Sequence, residues 1–352
     1  PYFLEEPDSL LGEAEEKELE NSALSAALEV QEVYRYAAIE EDAPYTYTVR
    51  DFSREQRNRV VSMLGEAGYV SVTDGANMEN HNSVRDFYSA YLKGQDSLVT
   101  IFDVNLDGLI GAYTFIHRKG NLQTFYVQIG WREGGVPEII STAVSDIAEI
   151  KLTEKGYFIY AYTVQLYHSS LRQFWRAAPL SDRCRELTEK YLDGLSYVNY
   201  NVLVTDWDSN NVEDILMPCM FEDLYRMDTG EILRPENGEI PAEVYERIMT
   251  TYFPVTKERI REICGYRADT DSYPYEMIFS SPYPPFGEVV GDKENPDGTL
   301  TLFVDGVWPD YNSDCAFTNI ITVQPFDDGT FRYLSNSIEK KELDIPNVYD
   351  MK

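Results

Sequence analysis

Between residues 97 and 164 the chain reads as β-rich runs separated by tight turns, which excludes an all-helical fold. "SLVTIFDV", "LIGAYTFIH" and "LQTFYVQIGW" are joined by "NLDG" and "RKGN". Further strands are expected at 139–151 and 157–164, with "TEKG" between them. Alternating aromatic and β-branched residues between Asp-Gly and Lys-Gly turns are the pattern of antiparallel hairpins. Two helical patterns come first. In "SREQRNRVVSMLG", Ser53 and Gln56 form a capping box, Val60, Val61 and Leu64 form the apolar stripe, and Gly65 is the expected stop. After a short strand, "YVSV", the residues Val84, Phe87, Tyr88, Tyr91 and Leu92 repeat at helical spacing up to Gly94. Two helices followed by a meander predict an α+β unit over 44–178. Its sheet would curl around a helix, as in cystatin-like or NTF2-like element orders. Element order of this kind carries no function.

Residues 1–43 hold 13 acidic and 2 basic side chains. Within them Ala23, Ala26, Ala27, Val30, Tyr34 and Ala37 make one apolar stripe, which predicts an acidic leader running into a docked helix. The leader and helix are expected to act as a stalk. From 179 to 352 a helical segment precedes a second antiparallel meander. "SDRCRELTEKYLDG", "IPAEVYERIMTTYF" and "TKERIREICG" read as helices. "TLTLFVDGVW", "CAFTNIITVQP" and "TFRYLSN" read as strands with "NPDG" and "DDG" turns. "SPYPPFGEVV" is expected to be extended because each proline biases the residue before it away from helix.

The charge balance narrows the partners. The chain has 61 acidic against 30 basic side chains, a net charge of −31. Nucleic acid and anionic lipid are bound by clustered Lys and Arg, so neither is an expected partner. No run of 18 apolar residues is present, so no transmembrane segment is expected. The chain begins at Pro1, as it would after removal of a signal region or of a processed tag. Cys184, Cys219, Cys264 and Cys315 stand too far apart for a zinc knuckle or a redox pair, and their even count permits disulfides without requiring them.

"IFDVNLDGLIG" places Asp103, Asn105 and Asp107, then Gly108, at positions 1, 3, 5 and 6 of an EF-hand loop. Position 12, where a bidentate carboxylate belongs, is Thr114, and both flanks read as strand. A hairpin turn is therefore expected, with no bound metal and no cofactor. Asp and Asn suit such a turn because they bond nearby backbone N–H groups and tolerate left-handed conformations.

His81, His117 and His168 are expected on loops or the sheet surface. G-x-S-x-G, HExxH, the P-loop and G-x-G-x-x-G are absent, so serine hydrolase, metalloprotease, NTPase and dinucleotide readings have no support. "TDWDSNN" sets Asp206 and Asp208 around Trp207. Paired carboxylates beside an aromatic platform are what a glycosidase uses, and these two acids are the catalytic candidates. A helix cap rich in Asp and Asn explains the same residues without catalysis. "VWPDYNSD" offers Trp308, Asp310 and Tyr311 as a binding surface for carbohydrate or peptide, or as an aromatic seal at a domain edge.

Several stretches in order carry a family resemblance: "VVSMLGEAGYVSV", "EKGYFIY", "APLSDRCRELTEKYL", "LVTDWDSNNVEDI", "EIPAEVYERIMTTYFPV", and "PPFGEVVGDKENPDGTLTLFVDGVW" with "AFTNIITVQPFDDGTFRYLSN". From about residue 50 to 336 the chain resembles an uncharacterised family of secreted lipoproteins from Gram-positive gut bacteria, a domain of unknown function. The resemblance implies an extracytoplasmic protein at the outer face of the membrane, anchored by a lipidated cysteine upstream of Pro1. Related sequences tend to have His where this chain has Asn319, and no catalytic residue carries over. The expectation is a non-catalytic binding or structural role in the envelope, with a glycan, peptide or protein ligand. The alternative is a carboxylate-dependent envelope or glycan hydrolase.

Overall fold

The computed structural model describes residues 7–43, 46–163, 172–195, 197, 202–215, 217–235, 237–275 and 285–343. The chain divides into two compact units, Pro1–Pro179 and Leu180–Lys352. The fold class is α+β, with seven α-helices among the described residues and mostly antiparallel sheets.

In chain order the first unit contains α1 (Glu13–Tyr34), β1 (Ile39–Ala43), β2 (Thr46–Val49), α2 (Arg54–Glu66), β3 (Val70–Val72) and α3 (Asn82–Leu92). The meander follows as β4 (Ser97–Val104), β5 (Ile110–Arg118), β6 (Asn121–Arg132), β7 (Val136–Leu152), β8 (Tyr157–Tyr162) and β9 (Gln173–Arg176). Strands β3 to β9 form one seven-stranded sheet in sequence order. Only the β3–β4 pair is parallel, which the helix α3 between them permits. Both faces of this sheet are covered by helices, and β9 extends it by a strand that the sequence pattern did not reveal.

Side-chain alternation assigns the two faces. Phe102 and Val104 of β4, Ile110 and Ala112 of β5, and Phe125, Val127 and Ile129 of β6 pack with Ala23, Ala27, Val30 and Tyr34 of α1 and Val60, Val61 and Leu64 of α2. Tyr34 stacks on Trp131 at 3.6 Å between centroids and on Phe52 at 4.8 Å. The opposite face takes Val99 and Ile101 of β4, Phe115 of β5, Phe158 and Tyr160 of β8 and Trp175 of β9, with Val84 and Phe87 of α3. Ser53 and Gln56 cap α2 reciprocally, as expected. The helix runs to Glu66, past Gly65, and the left-handed residue is Gly68 at φ +93°. Gly65 is needed for room, because a Cβ there would lie 2.6 Å from the Glu79 side chain. Leu92, expected inward, is exposed.

From Asp8 onward the acidic leader is laid against the sheet, so these residues are part of the packed unit and not a spacer. Gln123 donates to the Asp8 carbonyl and accepts from the Leu10 N–H. Arg118 grips Glu15 with both terminal nitrogens, at 3.0 and 2.8 Å. These bonds hold the Glu15 carboxyl down at about 2, through Arg118 first and the Gly12 N–H second.

The second unit contains α4 (Asp182–Tyr191), α5 (Met217–Thr229), β10 (Glu239–Pro241), α6 (Ala242–Tyr252), α7 (Lys257–Ile263), β11 (Ser272–Pro274), β12 (Phe286–Glu294), β13 (Leu300–Trp308), β14 (Ser313–Pro325) and β15 (Phe331–Lys340). β12 to β15 form an antiparallel meander, and β10 pairs with β11. Leu302, Val304, Ile321, Val323 and Tyr333 of the sheet form a core with Leu224 of α5, Ile248 and Met249 of α6 and Ile260 of α7. Phe286 onward is strand, while residues 281–284 of the proline-rich stretch lie outside the described residues. All four cysteines are free thiols.

Candidate functional site

The "NLDG" segment is a hairpin turn. Val104 pairs with Ile110, the Gly108 N–H donates to the Asn105 carbonyl, and Asp107 accepts from the Leu109 N–H at 3.0 Å. Gly108 has φ +78°, the conformation that a glycine allows at this corner. Asp103 lies outside the turn, on β4. Among the described residues no three His, Cys, Asp or Glu side chains come together as a metal would need.

Asp206, Trp207 and Asp208 do not form a carboxylate pair around a platform. Asp206 accepts from the Ile338 N–H at 2.7 Å and so holds the end of β15. Asp208 accepts from the Asn210 N–H at 2.7 Å, closing an Asx turn. Trp207 is 3% exposed and pairs its backbone with Asn336 in both directions. Its ring lies edge-on to Phe253 within the core and offers no stacking surface. All three serve local structure.

Trp308 ends β13, and Pro309–Tyr311 form a 3-10 turn closed by the left-handed Asn312. The half-buried Trp308 meets Tyr311 at 4.4 Å, edge to face, and stacks near Phe317 at 6.0 Å, while Asp310 is buried beneath. His117, expected on a surface, is buried and bonded to the Gln95 carbonyl at 2.7 Å. His81 precedes α3, and His168 lies outside the described residues. A cleft of about 810 Å³ runs beside Glu231–Pro235 and Glu239–Pro241. Of its three acids, Glu231, Glu239 and Asp271, the last two are engaged by Arg267, Ser272 and Tyr266.

The arrangement with chemical potential is elsewhere, on the α3-facing side of the first unit's sheet. Register builds it. Asp103 of β4 is opposite Gly111 of β5, and Tyr113 of β5 is opposite Tyr126 of β6. A Cβ at Gly111 would come within 2.8 Å of the Tyr113 ring and 2.9 Å of the Tyr126 ring, so the missing side chain is what lets both rings lean toward Asp103. β8 contributes Tyr160 and Tyr162, and β9 contributes Trp175. The indole N–H of Trp175 donates to Asp103 Oδ2 at 3.0 Å. Trp175 stacks on Tyr160 at 5.2 Å and meets Tyr113 at 5.1 Å. Tyr113 and Tyr126 are 4.7 Å apart, and Tyr160 and Tyr162 5.5 Å apart. Asp103, Tyr113, Tyr126 and Tyr162 remain partly open to solvent.

Burial raises the Asp103 carboxyl to about 6, against the opposing bond from Trp175, and Asp74 adds like-charge repulsion. Among the described residues Asp103 Oδ1 has no hydrogen-bond partner. Tyr126 is pushed to about 12, mainly by burial, while burial also raises Tyr113, Tyr160 and Tyr162. Tyr126 raises Tyr113 further, and Tyr162 raises Tyr160, because neighbouring phenols do not both ionise readily. All four phenols are thus neutral at ordinary pH. The cluster combines polarisable ring surface, hydroxyl groups and a carboxylate. Sequence reasoning singled out Asp103 as part of a loop and missed the rings. Their only local signal was four tyrosines spread over three strands.

The molecule is therefore a two-unit α+β protein with a cluster of aromatic rings around a carboxylate. It belongs to a family of unknown function, DUF6070, whose model matches residues 16–352. No curated protein and no solved structure matches the chain.

Proposed function

We propose that this chain is the folded part of a lipoprotein displayed on the outer face of the membrane of a Gram-positive gut bacterium. There it acts as a non-catalytic binding protein, with the cluster around Asp103 as its ligand site. The location rests on the resemblance to secreted lipoproteins, and the cystatin- or NTF2-like element order of the first unit belongs to the same reading. The binding role rests on one observation: an acid with a free oxygen is set among aromatic rings that remain partly open to solvent. Ring faces and fixed polar groups together are what recognition sites for envelope glycans, peptides and proteins use.

A glycan and peptide array tests the role. Binding that is lost in Tyr113→Ala supports it, and no binding to any element of the array overturns it. Location is tested by palmitate labelling of the full-length precursor in a Gram-positive host. An unlabelled protein recovered from the cytosol would remove the lipoprotein reading.

A second reading, a carboxylate-dependent glycan hydrolase, is favoured by a different property of the same residue. A carboxyl held near 6 beside a second acid, Asp74, has the proton affinity of a general acid. It would protonate the leaving glycosidic oxygen, while Asp74 as the second carboxylate would take the proton from the water that adds to the anomeric carbon. Release of reducing ends from envelope polymer, abolished in Asp103→Asn, would establish this reading over the first.

A further inference from the structure

The binding reading of the cluster can be taken to a ligand class, on which it does not itself depend. We infer that the cluster of Asp103, Tyr113, Tyr126, Tyr160, Tyr162 and Trp175 binds an organic ammonium group. Three features of the first unit converge on this chemistry.

The first is the shape of the charge. Asp103 Oδ2 accepts from the Trp175 N–H, which leaves Oδ1 available to accept from a ligand. The charged group that acts on Asp103 among the described residues is Asp74, another acid. A cation placed at Oδ1 would relieve that repulsion, whereas an anion or a second carboxylate would increase it.

The second is the wall. Tyr113 and Trp175 cross at 66°, Tyr113 and Tyr126 at 46°, and Tyr160 and Tyr162 at 87°. An ammonium lodged against rings of this kind is attracted by the negative face of each π-system that it meets. The phenols stay protonated and contribute oxygens as further acceptors.

The third is what the site lacks for other cations. A divalent metal needs six or more oxygen ligands or a compact set of His, Cys and carboxylates. No such set exists among the described residues. A soft, weakly hydrated organic cation fits one carboxylate and several rings, while a metal ion does not. The net charge of −31 raises the local concentration of any cation approaching this surface.

Calorimetric titration of the full chain with choline, with n-butylamine, and with 3,3-dimethyl-1-butanol, the neutral isostere of choline, tests the inference. Choline or n-butylamine should bind with saturation and quench Trp175 fluorescence. The two amines separate a quaternary from a primary ammonium source. The neutral isostere should bind at least about tenfold more weakly. Asp103→Asn should weaken the amine about tenfold or more, and affinity should fall as pH is lowered through about 6, where the carboxyl gains its proton. Tyr126→Leu should weaken it also, with both variants checked for a cooperative thermal transition. Equal affinity for choline and its neutral isostere, or amine binding untouched by Asp103→Asn, overturns the inference. If glycans or peptides bind while amines do not, the ligand class fails and the binding role stands. If nothing binds, both fall.

Discussion

The Tyr197 hydroxyl donates to Asn319 Oδ1 at 2.6 Å, in the interior of the second unit. Asn319 Nδ2 donates to the Leu203 carbonyl at 2.7 Å and to Asn336 Oδ1 at 2.9 Å. Asn336 in turn donates to the Thr205 carbonyl. The network ties the chain around residues 203–207 to β14 and the edge strand β15. Asn319 therefore has a structural role inside this unit. A neutral imidazole has one donor and one acceptor and cannot replace the two donors and one acceptor used here.

Asn319→Ala is expected to destabilise the second unit by about 2–3 kcal/mol, since three buried partners lose their bonds. Asn319→His should cost about 1–3 kcal/mol for the partner left over. Thermal denaturation of both variants checks this. An unchanged transition in Asn319→Ala would show that the network carries no stability.

The buried Glu246 is the hub of an ion-pair cluster. It accepts from Arg261 Nε at 2.6 Å and from the Tyr273 hydroxyl at 3.2 Å, with Lys257 at 3.7 Å. That same bond raises the Arg261 guanidinium further above its ordinary value. Glu246→Ala should destabilise by about 2–4 kcal/mol, because α6, α7 and β11 lose a shared acceptor and Tyr273 is left unsatisfied. Glu246→Gln, which keeps an acceptor, should cost less. Denaturant titration of the pair tests the order.

Gly111→Ala should disturb the cluster without touching the carboxylate. The added methyl meets both the Tyr113 and the Tyr126 ring, so at least one must move. A loss of about 1–3 kcal/mol is expected, as for other overpacked sites. Near-ultraviolet circular dichroism should report the altered tyrosine environment. An unchanged spectrum and stability would mean that the rings have slack.

Two carboxyls of the first unit should give opposite pH dependences. Asp103 is raised from 3.8 to about 6 in the fold, so the folded state binds the extra proton between those values. Stability on its account is greatest below about 4, falls as pH rises toward about 6, and stays reduced above. Asp103→Asn keeps an acceptor for Trp175 and should stabilise the unit at pH 7 by about 1–2 kcal/mol, after allowance for solvent screening. Glu15 is lowered from 4.5 to about 2, so its contribution is present above its ordinary value and is lost as pH falls through about 2. Thermal melts from pH 2 to 8 on the wild type, Asp103→Asn and Glu15→Gln measure both. A destabilising Asp103→Asn at pH 7 would contradict the burial of a charged carboxylate. A gain in stability with a loss of ligand would mark Asp103 as a residue kept for binding.

Much of the local structure was legible because its causes are local. The hairpins at "NLDG" and "TEKG", the Ser53 cap and the α1 stripe follow from turn chemistry and side-chain periodicity within a dozen residues. The face of α1 that carries Ala23, Ala27 and Val30 could be read this way even though what it covers could not. Trp207 shows where such reading stops. A tryptophan between two aspartates has the same sequence whether it lies on a surface or, as here, in a core bridged to Asn336.

The sequence alone determined where most strands and turns of the two meanders lie, that the searched metal-binding and nucleotide-binding motifs are absent, and that the chain is strongly acidic. Tertiary structure decided the cluster. Asp103 and Trp175 are 72 residues apart, and their bond exists because β4 and β9 belong to one sheet. Strand register set Asp103 against Gly111 and Tyr113 against Tyr126, and a slip of one residue would have turned each onto the opposite face. Alternation is a property of one strand, but convergence depends on how several strands pair, which no single stretch of residues encodes.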